Sequence, residues 1–293
     1  MTNSIAPNGW LILNKPVGIS STFAGSKIKR IFKQKKIGHA GTLDPFASGI
    51  LPLALGEATK TMPFIMNRKK VYEFTLSFGS QTSTDDTEGE VIATSVHIPK
   101  QKDIENILHK FIGKISQIPP KYAAIKIDGK AAYKRSRSGE EITMPERIIE
   151  IYDLALNSFE NNTAKFTVCC RTGTYVRSLG RDIALALSTV GHLSELKRTA
   201  VGPFTLKNSI SLEKLMEIGN TQPSFTLLPI GAVLDDIPAV TVSMHEVEQI
   251  RFGRAIATHS PNYSHVSLWC EKQVVALGHT VDSMFHPDRV FNY

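Results

Sequence analysis

One carboxylate, Asp44, stands in a glycine-bracketed segment, Gly38-His39-Ala40-Gly41-Thr42-Leu43-Asp44-Pro45-Phe46-Ala47-Ser48-Gly49, inside the most basic part of the chain. A lone loop aspartate ordinarily forms a turn or caps a helix. Nearby cations favour its ionised form, however, and an ionised carboxylate held in a loop can serve as a base or a nucleophile. Other chemistries find few candidates. Cys169, Cys170 and Cys270 include an adjacent pair and no CxxC, and the nine histidines contain no HExxH. A disulfide framework, a thiolate zinc site and a metalloprotease helix are therefore not expected, and the thiols read as buried and structural.

The charge around Asp44 is unevenly distributed. Residues 1–71 hold eleven Lys or Arg against Asp44 and Glu57, a balance of +9 in a chain whose total is +7. Such asymmetry points to a polyanionic partner, because each neutralised phosphate releases a condensed counterion. A solvated helix face is the plainer alternative. Ile28, Ile31 and Phe32 give the segment Thr22 to Lys36 an apolar stripe, which predicts an amphipathic helix with an exposed basic face, capped by Ser20-Ser21.

The elements that must hold these residues alternate irregularly between strand and helix. Trp10 to Leu13, Ile50 to Leu55, Val71 to Phe78, Glu90 to Ser95 and Ala123 to Ile127 read as strands, with Gly38 to Gly49 as a loop. Lys102 to Phe111 and Thr174 to Leu187 read as helices. Arg147 to Ser158 and Thr163 to Cys170 read as an antiparallel pair across Glu160-Asn161-Asn162. Without a regular βαβ period, the expectation is an α+β fold with a mixed, largely antiparallel central sheet rather than a doubly wound one. Leu234-Asp235-Asp236-Ile237-Pro238 reads as a junction, giving a domain 1–233 and a small β-rich appendage, 234–293. The appendage carries strand candidates at Ala239 to Val242, Val266 to Trp269 and Gln273 to Gly278, and a helix near His245 to Phe252. With 293 residues, 42% hydrophobic and a mean hydropathy of -0.09, the chain can bury a sizeable core. Its best apolar run, Ile50 to Leu55, is far short of a membrane span, and the start MTNSIAPNGW lacks a secretory pattern, so a cytoplasmic protein is expected.

The segment GHAGTLDPFASGILPLALGEATK resembles the catalytic-loop motif of the TruB family of tRNA pseudouridine synthases. Agreement extends in order along most of the chain: Lys15-Pro16 and Gly18, Lys70-Val71-Tyr72, Thr84-Asp85-Asp86 to Glu90, Gly173-Thr174-Tyr175-Val176-Arg177-Ser178-Leu179, and Gly191-His192-Leu193 to Phe204. The stretch from Ile118-Pro119-Pro120 to Gly139-Glu140 is similar to the family's inserted thumb, about residues 118–145. The resemblance implies a catalytic set of Asp44, Tyr72 and Arg177, with Arg177 paired to Asp44. It implies a base pocket lined by Tyr175 and Leu196, a histidine beside the flipped nucleotide at His39, and lysines near the RNA at Lys15 and Lys60. It further implies isomerisation of uridine 55 in the tRNA T loop by a monomer, with no cofactor and no metal, and a PUA-like RNA-binding unit at 234–293. Asn14 and Arg171-Thr172 depart from the family pattern, where Asp and a Ser-Lys pair are usual, which puts substrate contacts rather than chemistry in question.

Two other functions fit parts of this inventory. A glycoside hydrolase also places carboxylates at an anomeric carbon but needs a pair, and Asp44 has only Glu57 as an acidic neighbour in the first 71 residues. A non-catalytic RNA-binding or RNA-folding protein would share the basic surface and the appendage. Guide-RNA-dependent relatives share the loop motif, but the thumb-like insertion favours a stand-alone enzyme.

Overall fold

The computed structural model describes residues 7–122, 126–127, 130–131, 144–218 and 226–292. Along the first part run β1 (Gly9–Lys15), α1 (Ser21–Ile31), β2 (Ile37–His39), β3 (Ser48–Leu55), α2 (Met62–Met66), β4 (Lys70–Phe78), β5 (Ser80–Thr82), β6 (Val91–Thr94), α3 (Gln101–Ile107) and β7 (Gly113–Gln117). A short pair, β8 (Lys126–Ile127) and β9 (Lys130–Ala131), precedes β10 (Arg147–Glu160), β11 (Thr163–Cys170), α4 (Val176–Ala186), β12 (Gly191–Val201), β13 (Phe204–Thr205), β14 (Ile210–Ser211) and α5 (Leu212–Ile218). The last part holds β15 (Ala239–Thr241), α6 (Met244–Arg251), β16 (Ile256–Ala257), β17 (Tyr263–Cys270), β18 (Gln273–Val281) and β19 (Met284–Val290).

Ten strands form one sheet in the order β14-β1-β3-β12-β4-β11-β10-β7, with β2 on β3 and β13 on β12. β1 with β14 and β3 with β12 are parallel, and the other pairs are antiparallel. The α+β expectation is met. β1 is apolar almost throughout because both its faces are covered. Leu11 and Leu13 enter the core that α1 shares with β4 and α4, while Trp10 and Ile12 enter a second core on the opposite face. β3 divides in the same way, Leu51, Leu53 and Leu55 to one side and Ile50 and Ala54 to the other.

That second core joins the two parts of the chain. Val274, Leu277 and Phe291 of the C-terminal part pack with Trp10, Ala54 and Ala58. The C-terminal strands form a separate five-stranded sheet, β15-β17-β18-β19-β16, with α6 against it and its own core around Val266, Leu268 and Phe285. No described helix is long and apolar enough to cross a membrane.

Several local expectations shift. The basic helix ends at Ile31, and Lys33 takes a left-handed φ of 48° instead of continuing it. The glycine-bracketed loop is shorter than expected, because Ile37–His39 pairs with β3. α4 begins at Val176, with Tyr175 as its extended N-cap. Of the strand expected at Ala123 to Ile127, only Lys126–Ile127 is described, as β8, and most of the thumb at 118–145 lies outside the described residues.

Candidate active site

The Asp44 loop is fixed from three sides. Ser21, the first residue of α1, donates from Oγ to the Leu43 carbonyl at 2.9 Å and accepts from the Leu43 N–H at 2.8 Å. The Gly18 N–H donates to the Pro45 carbonyl at 2.8 Å, so the turn after β1 holds the residue that follows Asp44. From β12, the Arg198 guanidinium donates to the carbonyls of Ile50 (2.7 Å) and Gly41 (2.9 Å) and reaches that of Thr42 at 3.5 Å. The glycine at position 49 is dictated by this packing: with φ at +102°, a Cβ there would lie 2.2 Å from the Arg198 carbonyl oxygen.

Asp44 opens on a cavity of about 270 Å³, whose wall includes Tyr72, Tyr175, Arg177, Leu196 and Arg198. Arg177 Nε lies 2.9 Å from Asp44 Oδ2, an ion pair in which the N–H is not aligned for a hydrogen bond. On its other side the same guanidinium is 3.2 Å from Asp86, whose side chain is 1% exposed, and donates to the Thr84 carbonyl at 2.9 Å. Asp86 is held in turn by the Thr84 hydroxyl and the Glu88 N–H. One buried cation thus sits between two carboxylates. This geometry assigns a task to Asp86, a residue that the motif contains but for which residue type alone suggests no role.

The carboxyl of Asp44 is pushed above its ordinary value, chiefly by burial, and Asp86 adds to the rise; Arg177 and Lys15 oppose it. The expectation from surrounding charge had the opposite sign. It failed because the surrounding cations are spread over a surface, whereas desolvation acts on the carboxyl itself even though 35% of its side chain faces the open cavity. Tyr72 is buried on β4, and its hydroxyl is raised by the same cause, partly offset by Arg198. Tyr175 is pinned through its backbone: its N–H donates to Gln117 Oε1 at 2.9 Å and its carbonyl accepts from Gln117 Nε2 at 3.1 Å. Arg147 lies over the Tyr175 ring at 5.8 Å.

Asp44, Tyr72, Arg177, Tyr175 and Leu196 therefore meet at one cavity. Lys15, His39 and Lys60 are not part of its wall. Lys15 has no exposed surface, and its ammonium donates to the carbonyls of Pro16 and Ile19 at 2.8 Å each, fixing the turn that carries Gly18. Burial pushes it down to about 8. His39 lies in β2, and burial lowers its imidazole. Lys60 bonds Glu57 Oε2 (2.6 Å) and the Val290 carbonyl (2.7 Å), clamping the C-terminal sheet to the first part of the chain. Residues that sequence reasoning missed take their places in the wall. Lys70 is buried, donates to the Met66 and Arg68 carbonyls, and is lowered to about 8. Arg171 and Thr172, at the position that departs from the family pattern, line the cavity directly.

The fold is shared with a chain of the solved Cbf5-Nop10-Gar1 complex, at a TM-score of 0.74 and 25% identity over 97% of this chain and 85% of that one. A chain of an H/ACA RNP bound to a substrate RNA containing 2'-deoxyuridine gives 0.73 at 24%, over 97% and 85%. Residues 29–176 match the profile described as TruB family pseudouridylate synthase (N terminal domain), so the class is that of the pseudouridine synthases, which are RNA isomerases. Residues 177–235 match the tRNA pseudouridylate synthase B C-terminal domain. The chain belongs to the TruB family. Among its relatives, the tRNA pseudouridine synthase B of Sinorhizobium medicae (strain WSM419) is 41% identical over 97% of this chain and 96% of its own length. That of Caulobacter vibrioides is 42% identical over 98% and 96%.

Proposed function

We propose that this chain isomerises uridine 55 in the T loop of tRNA to pseudouridine, with Asp44 as the group that acts on the target nucleotide. The observation that carries this reading is the meeting of the Asp44 carboxylate, the Tyr72 and Tyr175 rings and Leu196 around one cavity, with Arg177 2.9 Å from the carboxylate. Relatives about 40% identical over nearly the whole chain, named tRNA pseudouridine synthase B, support tRNA as the substrate.

The reaction breaks the bond from uracil N1 to ribose C1′, turns the base, and joins C5 to C1′, with the C5 proton lost and N1 left carrying one. Atoms and electrons balance within the nucleotide, so no cofactor enters. A carboxylate must attack C1′, add to C6, or take the C2′ proton, and Asp44 is the carboxylate that we assign to this step. Its raised pKa makes it the more basic for this work. The base reaches it by extrusion from the T loop, and an aromatic face offsets part of that cost, at about 1–3 kcal/mol per stacked base. Tyr72 is the platform, with its hydroxyl available for the late proton transfer. Arg177 keeps Asp44 oriented, and Tyr175 and Leu196 close the pocket around the uracil.

The exposed cations Lys29, Arg30, Lys33, Lys35 and Lys36 suit the phosphates of the T stem-loop. Residues 234–293, with their own sheet and core, serve as a PUA-like RNA-binding unit, and 1–233 as the catalytic domain. Lys15, His39 and Lys60 serve substrate binding from outside the cavity wall, and Lys60 also holds the C-terminal unit in place through the Val290 carbonyl. The chain works as a monomer in the cytoplasm, where relatives named tRNA pseudouridine synthase B would meet their substrate.

The test is mass-spectrometric mapping of pseudouridine in unmodified tRNA incubated with purified protein and no guide RNA. Modification at position 55, abolished in Asp44→Asn while tRNA affinity stays within a few fold, is the expected result. Residual turnover above about 1% of the unsubstituted rate, a loss of less than about 2.7 kcal/mol of transition-state stabilisation, moves the catalytic role away from Asp44. No pseudouridine formed by either protein, with tRNA bound equally by both, means a non-catalytic RNA-binding protein.

A further inference from the structure

Arg198 reaches the active-site loop from a direction that the roles of Asp44, Tyr72 and Arg177 leave unexplained. It is 1% exposed, and its partners are backbone carbonyls rather than carboxylates. Nε donates to Ile50 and Nη2 to Gly41, at 2.7 and 2.9 Å, and Nη1 approaches the Thr42 carbonyl at 3.5 Å. Gly41 and Thr42 precede Asp44 and Ile50 follows it, so one planar group ties both arms of the loop to a single strand. A guanidinium can do this because its five donors lie in a fixed plane; an ammonium on a flexible stem cannot hold three separated carbonyls in that arrangement. The backbone fits the same purpose. Arg198 pairs in parallel with Gly49, and the absence of a side chain at Gly49 lets the two strands close.

A cation buried this completely is costly, and a strand needing only to pack would do better with an apolar residue. The cation here instead lies in the cavity wall with Tyr72 and Asp44, and its charge also depresses Lys70 and His39. We propose that Arg198 is a positioning residue for the isomerisation, holding the Asp44 loop against the Tyr72 wall so that the carboxylate stands where the flipped uridine arrives. This rests on the reading of Asp44 given above.

Arg198→Lys keeps the charge and loses the fork; Arg198→Gln loses both. In the full chain, Arg198→Lys is expected to slow single-turnover pseudouridine formation by about 30-fold or more, as displacement of a reacting group by a fraction of an ångström does, with tRNA Kd within about 3-fold. Amide hydrogen exchange should quicken across residues 40–50 while β4 and α4 keep their protection, a readout independent of turnover. Arg198→Gln should be slower again, and if it does not fold, the lysine variant alone decides. A rate within about 3-fold of the unsubstituted protein overturns the proposal, because a misplaced loop cannot preserve near-attack geometry. So does a rate loss matched by equal losses of affinity and of exchange protection across the whole sheet, the mark of a purely structural residue. Asp44→Asn run in parallel separates the two readings: full turnover there sinks the role of Asp44 and this proposal together, whereas a dead Asp44→Asn beside a fully active Arg198→Lys sinks this proposal alone.

Discussion

The basic first quarter of the chain contains two populations of cations that the sequence presents as one. Lys29, Arg30, Lys33, Lys35 and Lys36, on and just beyond α1, are exposed. Lys15 and Lys70 are buried with their ammonium groups on backbone carbonyls, and Lys60 and Arg68 are engaged at the junction with the C-terminal part, Arg68 with Asp235 and Asp236. The first group keeps its water and costs little to carry, so its value lies in what it can meet outside. The second has given up water for fixed partners, so its value lies in the geometry it imposes. Net charge alone adds the two together, which overstates the surface available to a polyanion.

If that division holds, the largest effect should follow from a buried cation. Arg177→Gln leaves Asp86, 1% exposed, without its countercharge and Asp44 without its anchor. Breaking a buried pair from one side costs about 3–5 kcal/mol. Urea melting of this variant should show a loss of that size, together with turnover below detection in the tRNA assay. An unchanged melt would mean that Asp86 finds another partner and that the pair is less insulated than its burial indicates.

A smaller and different effect is expected from the exposed group. Replacing Lys33, Lys35 and Lys36 together by alanine should leave stability within about 0.5 kcal/mol, since solvated surface positions carry little. Binding should weaken, and the slope of log affinity against log salt should flatten by about 0.7–0.9 for each phosphate that is no longer neutralised. Filter binding at several salt concentrations measures it. An unchanged slope would leave this face as a merely solvated one.

The same contrast explains which parts of the molecule are legible in the sequence. β1, β3 and β4, and the β10–β11 hairpin across Asn161-Asn162, are readable because their apolar patterns are set by cores on known faces and their turn by residues that tolerate positive φ. β12 does not read as a strand. Its pairing with β4 shifts register between Leu193 and Glu195 and again between Arg198 and Ala200, and each irregularity adds a residue that breaks the period of two. The apolar residues Leu193 and Leu196 then fall three apart, a helical spacing. β19 is hidden for another reason: it carries Pro287, which argues against a strand in sequence and here falls beside the register shift between Leu277 and Gly278 of β18, past the end of its short partner β16. At the site, Asp44, Tyr72 and Arg177 are legible through motif resemblance. Arg198, Lys70 and Asp86 receive no role from the sequence, because residue type does not reveal whether a charge is buried; Lys15 and Lys60 are expected near RNA from the family resemblance, and neither lines the cavity.

The last effect appears only above about pH 8 and is read at Lys15. Its ordinary value of 10.5 falls to about 8 in the folded chain, burial being the main cause. Below about pH 8 the folded and unfolded states both hold the proton, and the penalty for burying the ammonium applies in full. Between about 8 and 10.5 the unfolded chain still binds that proton while the folded chain has released it, so the contribution of Lys15 to stability rises with pH, by at most about 1.4 kcal/mol per pH unit. Lys70, also near 8, acts with the same sign, whereas Cys170, raised to about 11, acts against both above its ordinary value of 9. The parent's own curve therefore mixes opposing slopes, and the informative quantity is the difference between parent and Lys15→Met. Measured by urea denaturation from pH 7 to 9.5, that difference should be flat up to about pH 8 and then move in the parent's favour. A difference independent of pH over the whole range would mean that Lys15 keeps its proton throughout and belongs, electrostatically, with the exposed lysines of α1.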